Sequence, residues 1–151
     1  MGTLSARLDI QGALNQQRVS RRLEIIGQPP EFAGLRCDAF ICEGFAHNGM
    51  LIANANVVHV CFAGVWHKLI LDCGMIIWRQ SEGPPNPWSI ASEGWEYPHV
   101  DVGAISGVTG LRLRDYRMET TAAGGKVVFL FESGRTITII DENDQSNFRV
   151  D

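Results

Sequence analysis

The chain has 151 residues, a length that suits one domain with a sizeable hydrophobic core. Hydrophobic residues make up 45% of the sequence and charged residues 20%, which is typical of a globular protein and excludes a disordered chain. The formal net charge is −4, and nucleic acid is held by clustered positive charge, so we expect no nucleic-acid partner. No apolar run approaches the ~18 residues that cross a bilayer, and we expect no membrane contact.

Four cysteines occur, at positions 37, 42, 61 and 73, and none belongs to a CxxC pair. This count is low for a small chain held together by disulfides. The first residues also lack the apolar stretch of a secretory signal. We therefore expect reduced, mostly buried thiols in a cytoplasmic protein.

The N-terminal segment, residues 1–36, has the least regular pattern. Residues 13–24 (ALNQQRVSRRLE) have a composition that favours a helix, which is the preferred prediction, although Val19, Leu23 and Ile25 also alternate as in a strand. Gln28-Pro29-Pro30 ends whichever element precedes it, because the residue before a proline is pushed out of helical geometry.

Residues 37–79 form a first predicted β unit. Short segments rich in β-branched and aromatic residues alternate with Gly, and Asn48-Gly49 is a strong signal for a hairpin turn. In the clearest strand, Val58, Val60 and Phe62 share one face. The predicted strands are 37–46, 50–55, 57–62, 66–71 and 75–79, the last three as a meander.

A second predicted β unit covers residues 104–151, with strands at 111–120, 126–131 and 135–140. Residues 69–78 align without gaps on residues 129–138, and both contain an apolar triplet, an acid, a small residue and Gly. The glycine suits a three-residue hairpin loop, which needs a residue at positive φ. Either a β unit is duplicated or two hairpins follow the same turn rule.

We predict a single, mainly β domain (α+β if the N-terminal helix forms), with an antiparallel sheet forming a sandwich or half-barrel from two similar hairpin units.

Between the two units lies the acidic aromatic loop, residues 80–103, which has four prolines and no Lys or Arg. Loops of this length are usually functional or disordered, and large aromatic rings argue against disorder. Trp and Tyr dominate interface hot spots, and acids around them steer a basic partner. We predict that this loop binds a protein, through Trp88, Trp95, Tyr97, Glu82, Glu93, Glu96 and Asp101.

Elsewhere the sequence predicts no catalytic residue, no metal ligand and no cofactor. Cys61 and His59 share a strand face, but no flanking motif supports an activated thiolate. A zinc site from Cys37, Cys42 and His47, with His59 or Cys61 as fourth ligand, is disfavoured. Cys37 and Cys42 are an odd number of residues apart, which puts their side chains on opposite faces of a strand.

Acidic residues near a histidine, or near one another, are interpreted as solvated surface. Glu96 and His99 resemble half of a carboxylate-bridged metal site, but such sites use helices and need the motif twice. Residues 141–144 (DEND) resemble a calcium loop, yet they lack its glycine at the sixth position and its glutamate at the twelfth. We expect a solvated turn there.

The segment GKVVFLFESGRTITI, residues 125–139, resembles a hairpin that recurs in small β-rich immunity proteins and immunity-like uncharacterised proteins of bacterial toxin systems. This resemblance implies a cytoplasmic, non-catalytic, acidic protein that covers the active site of a cognate toxin, often a basic nuclease. The predicted function is therefore protein binding, as an immunity protein or inhibitor. Two alternatives stay open: a small-molecule container lined by Trp66, Trp78 and Phe62, or an enzyme that uses Cys61 or His59.

Overall fold

The computed structural model describes residues 23–151. Most of the helix predicted at residues 13–24 lies outside this part of the chain, and Leu23 and Glu24 are not helical. The described chain is mainly β, as predicted. Its elements are β1 (Glu24–Ile26), β2 (Cys37–His47), β3 (Met50–Phe62), β4 (Val65–Asp72), β5 (Met75–Ser81), β6 (Trp88–Ile90), a 3-10 turn (Ala91–Glu93), β7 (Trp95–Tyr97), β8 (His99–Asp101), α1 (Val102–Ser106), β9 (Leu113–Thr120), β10 (Gly125–Phe131), β11 (Thr136–Glu142) and β12 (Gln145–Val150).

These strands form two sheets. The larger has eight strands in the order β1-β5-β4-β3-β2-β7-β6, with β8 also paired to β2. The smaller has four strands in the order β12-β11-β10-β9. Neighbouring strands are antiparallel apart from the parallel pair of β1 and β5. The predicted meander is confirmed as β3, β4 and β5. Within residues 23–151, no helix is both long and apolar enough to cross a membrane.

One hydrophobic core collects side chains from both sheets. Val58, Val60 and Phe62 of β3 are at most 1% exposed, which confirms the predicted inward face. Phe129 of β10 and Ile137 of β11 are fully buried on the side of the smaller sheet. Alternation along each strand therefore produces the apolar faces that the two sheets share.

Phe32, in the connection between β1 and β2, joins the two sheets. Its ring centroid lies 4.3 Å from that of Phe62 and 5.7 Å from that of Trp78, both in the larger sheet. It also lies 5.5 Å from the ring of Tyr116 in β9 of the smaller sheet. A residue outside every strand thus fills the aromatic centre of the core.

The two similar segments, residues 69–78 and 129–138, differ in their hairpin turns. At Asn48-Gly49 both residues have positive φ, 49° and 81°, so the predicted tight turn is confirmed. The turn between β4 and β5 also has only two residues, because Asp72 pairs directly with Met75. The prediction of a three-residue loop between β4 and β5 is therefore wrong. Residues 132–134 do form a three-residue loop between β10 and β11, in which Gly134 alone has a positive φ, of 92°.

The three largest differences between the predicted and the observed strands lie in β3, in β12 and in the acidic aromatic loop. Residues 50–62 form one strand of 13 residues rather than two. Its first half is held by β12, which was not predicted: the Asn54 backbone N–H donates to the Asn147 side chain at 2.9 Å, and the Phe148 N–H donates back to Asn54 Oδ1 at 2.8 Å. The strand continues because the neighbouring chain satisfies its polar groups.

The acidic aromatic loop is the third difference, since it contains β6, β7 and β8 instead of being irregular throughout. These short strands extend the larger sheet along the free edge of β2. β8 pairs with Ile41–Glu43, β7 pairs with Ala46–His47, and the Gly44 N–H donates to the Pro98 carbonyl at 2.7 Å between them. Pairing with a long edge strand explains why a proline-rich segment is ordered.

Candidate functional site

Three aromatic rings of the acidic aromatic loop meet at the end of β2. The rings of Trp88 and Tyr97 stack with centroids 3.8 Å apart and planes at 8°. Trp95 packs edge-on against Phe45 at 4.8 Å and lies 4.2 Å from the imidazole of His47. We call Phe45, Trp88, Trp95 and Tyr97 the aromatic platform. The structure therefore brings together all three aromatic residues that were predicted to bind a partner and adds a fourth.

Strand pairing explains why these rings share a face. Trp88 of β6 lies opposite Tyr97 of β7, and His47 of β2 lies opposite Trp95 of β7. Directly paired residues project to the same side of a sheet, and so do residues two apart in one strand. The register of two short strands is thus sufficient to collect the platform.

Trp88 is the exposed ring of the platform, with 49% of its surface accessible, while Trp95 and Tyr97 are half-buried. Met50, which is 72% exposed and pairs with His47, extends the apolar surface. An open depression of about 390 Å³ adjoins these rings and is lined by Pro87, Trp88, Ser89, Glu96, Tyr97 and Pro98. Because the stack with Tyr97 holds the indole in place, little conformational entropy is lost when a partner contacts it.

The predicted acidic residues are all exposed, but they do not share one role. Glu96 pairs with Ser89 and Ala46, and its position therefore alternates with those of the rings along β7, although Glu96 also lines the depression. Asp101 caps α1, its carboxylate accepting a hydrogen bond from the Ala104 N–H at 3.0 Å. Glu82 and Glu93 are exposed and have no such structural role among the contacts of the described residues.

A buried group of polar side chains adjoins the platform. Glu43 Oε1 lies 2.9 Å from Nε2 of His59 and 3.3 Å from Nε2 of His99. The three side chains are only 6% to 10% exposed. We call Glu43, His59 and His99 the triad. Glu43 in β2 lies directly opposite His99 in β8, and His59 in β3 lies opposite Ile41, two residues along β2 from Glu43.

The triad lies on the side of the larger sheet that faces away from the core, because the neighbouring residues Cys42 and Val58 point inward. Burial raises the pKa of Glu43, but the hydrogen bond from His59 and the charges of His59 and His99 outweigh it and hold this pKa below its usual value. The side chain of Trp88 adds a weaker hydrogen-bonding contribution in the same direction. The carboxylate is therefore ionised at neutral pH and anchors both imidazoles.

The environment of Cys61 favours its protonated thiol. Cys61 is 5% exposed, and burial followed by the charge of Asp38 raises its pKa. A nucleophilic cysteine needs the opposite shift and an adjacent base. His59, the base suggested by the sequence, instead contacts Glu43.

The other cysteines are free thiols, three of the four being buried as predicted. Cys37 and Cys42 belong to the same core cluster, so the prediction that they lie on opposite faces is wrong. The register of β2 shifts between Cys37 and Ala39, which changes the face of every residue beyond it. Burial raises the pKa of Cys37 to about 12. Among residues 23–151, Cys37, Cys42 and His47 do not form a group whose ligand atoms lie within 4.8 Å of one another. Cys73 is exposed beside Asp144, with its Sγ 3.2 Å from Oδ1.

The rings suggested for a small-molecule container do not line one cavity. Phe62 and Trp78 are each 1% exposed and pack against Phe32 in the core. Trp66 pairs with Cys61 and therefore projects from the other face of the larger sheet.

Sequence reasoning missed Glu43 and Phe45. For Glu43 a signal was available: a carboxylate inside an otherwise apolar strand indicates polar partners, because a buried charge needs them. Its partners were not readable, because His59 and His99 are distant in the chain and meet only through the pairing of β2 with β3 and β8.

No family model, curated protein or solved structure matches the chain. Function is therefore inferred from the platform and the triad themselves.

Proposed function

We propose that the protein binds a basic segment of another protein through the aromatic platform. The observation that carries this proposal is the half-exposed indole of Trp88, stacked on Tyr97 in a segment without Lys or Arg. Exposed apolar surface rimmed by polar residues marks interaction sites, and Trp and Tyr are enriched among the residues that dominate binding energy.

The chemistry of the platform selects a cationic partner. An arginine guanidinium or a lysine ammonium is attracted to the face of an indole, most strongly when water is excluded. The depression between Trp88 and Pro98 offers room for such a side chain. Glu82 and Glu93 add exposed negative charge nearby in the chain, which accelerates encounter with a basic surface more than it tightens the final complex.

The biological role that we propose is inhibition of immunity type, in which the platform covers the active site of a basic, nuclease-type toxin. The net charge of −4 and the resemblance of residues 125–139 to immunity proteins support this role. The scaffold that we propose is an antiparallel sandwich, supported by the core to which both sheets contribute. A reduced, cytoplasmic compartment is supported by the four free cysteines.

Binding is tested with two fluorescently labelled peptides of equal length, one rich in arginine and one rich in glutamate. Anisotropy titration should show saturable binding of the arginine-rich peptide only. Trp88→Ala is expected to weaken it by about 2 kcal/mol, roughly 30-fold. Val65→Ala serves as the matched control, because Val65 is an exposed apolar residue of β4 outside the platform. Equal binding of both peptides, or unchanged binding by a Trp88→Ala, Trp95→Ala double variant, refutes the proposal.

Toxin neutralisation is tested separately. The candidate toxin is any basic C-terminal domain of a secreted protein that is found encoded beside this chain, and growth is measured in cells that produce this domain. Co-production of the wild-type protein should restore growth, and co-production of the double variant should not. Restored growth with the double variant would place the inhibitory surface elsewhere on the molecule.

A further inference from the structure

We propose that the triad of Glu43, His59 and His99 binds one divalent transition-metal ion. Two imidazole nitrogens and one carboxylate oxygen converge there, all three ligand atoms lying within 4.8 Å of one another. This donor set suits Zn²⁺, Co²⁺, Ni²⁺ or Fe²⁺ rather than Ca²⁺ or Mg²⁺, which prefer oxygen ligands alone.

Two of the three distances between the donor atoms are close to those of a coordination shell. Bonds of about 2.1 Å place neighbouring ligand atoms about 3.0–3.4 Å apart in octahedral or tetrahedral geometry. Glu43 Oε1 lies 2.9 Å and 3.3 Å from the two Nε2 atoms. The two imidazole nitrogens lie within 4.8 Å of each other, so an ion can replace the protons bound between Glu43 and the imidazoles once these side chains adjust around it.

The site is built on rigid elements. Its ligands come from three neighbouring strands, β2, β3 and β8, whose backbones are held by the hydrogen bonds of the sheet. The side chains are at most 10% exposed, so their rotamers are restricted before any ion arrives. Preorganised ligands lose little entropy on binding, which favours affinity.

Trp88 connects the triad to the molecular surface. Its side chain is one of the groups that lower the pKa of Glu43, and its ring is half exposed on the platform. Three protein ligands leave at least one coordination position for water or for a group of a bound molecule. The metal site does not depend on the proposed protein partner, since its ligands are all outside the platform.

The test uses the full chain, freed of metal with a chelator and titrated with Co²⁺ by calorimetry and visible absorption. We expect one equivalent to bind. Loss of a residue that only hydrogen-bonds a ligand costs a metal site about 10–100-fold in affinity. His99 and Glu43 are proposed as ligands themselves, so His99→Ala and Glu43→Gln should each lower the affinity for Co²⁺ by about 100-fold. His47→Ala is the matched control, because it removes a histidine that lies outside the triad.

A second control separates the triad from an exposed group formed by Asp72, Cys73 and Asp144, whose ligand atoms also lie within 4.8 Å of one another. Cys73→Ser should leave the bound equivalent unchanged. Absence of saturable binding, full affinity in His99→Ala, or loss of binding only in Cys73→Ser overturns the proposal. If the triad variants fail to fold, X-ray absorption of the Co²⁺-loaded wild-type protein decides, since a shell without two imidazoles excludes the triad.

Discussion

Replacement of Phe32 by alanine tests whether this single side chain joins the two sheets. Phe32 is 2% exposed and contacts rings of β3, β5 and β9. Buried Phe→Ala substitutions cost about 3–5 kcal/mol, the most where the surroundings cannot collapse into the cavity. The neighbouring rings stand on hydrogen-bonded strands of both sheets, so collapse is restricted. We therefore expect a loss of about 4 kcal/mol, or roughly 10 °C in Tm for a domain of this size.

Urea unfolding followed by tryptophan fluorescence measures the loss directly. Phe32→Leu retains most of the buried apolar volume and should cost about 1 kcal/mol. Phe148→Ala, at a partly buried position of β12 beside the core, should cost less than Phe32→Ala. A loss below about 1 kcal/mol for Phe32→Ala would refute the idea that the connection before β2 holds the sheets together.

Two further substitutions test the triad and the close contact between Gly124 and the Asp141 carbonyl. The pKa of Glu43 is lower in the folded chain than in the unfolded chain. Its ionised form therefore stabilises the fold above about pH 4.3, and this stabilisation is lost as the pH falls through the folded pKa. Urea unfolding of Glu43→Gln should show about 2 kcal/mol less stability than wild type near pH 7 and a smaller deficit near pH 3; an equal deficit at both contradicts this role. A Cβ at Gly124 would overlap the Asp141 carbonyl, so Gly124→Ala should cost about 2 kcal/mol in thermal unfolding. Gly83→Ala, which meets open space, should change stability by less than about 0.5 kcal/mol, and equal effects of the two would be inconsistent with the contact.

Several strands were predictable because their signals are local. The alternation of Val58, Val60 and Phe62 requires one buried face whichever strands lie alongside. Asn48-Gly49 predicts its turn because both residues tolerate positive φ. These features depend on neighbouring residues in the chain, and they appear where the pattern places them.

The boundaries that were missed depend on distant partners. β12 has a polar sequence, QSNFRV, and its pairing with β11 and its bonds to Asn54 are not encoded in its own periodicity. β6, β7 and β8 are each three residues long, too short for a pattern to emerge. β7 and β8 form on the free edge of β2, and β6 then pairs with β7.

In the candidate site too, some residues were predictable from the sequence, whereas their contacts depended on strand pairing. Composition alone was enough to single out Trp88, Trp95 and Tyr97, since Trp and Tyr dominate interface hot spots and a loop of this length is usually functional or disordered. Their convergence with Phe45 required the register of β7 on β2. The triad required two such registers at once.

The sequence by itself determined a mainly β chain, the inward face of β3, the turn at Asn48-Gly49 and the aromatic, acidic character of residues 80–103. Only the tertiary structure decided which of these rings stack, which acids cap or face away, and that Glu43 meets two histidines. The physical reason is that hydrophobic alternation and turn propensity act over a few residues, whereas the convergence of side chains depends on strand order and register, which are set by the packing of the whole chain.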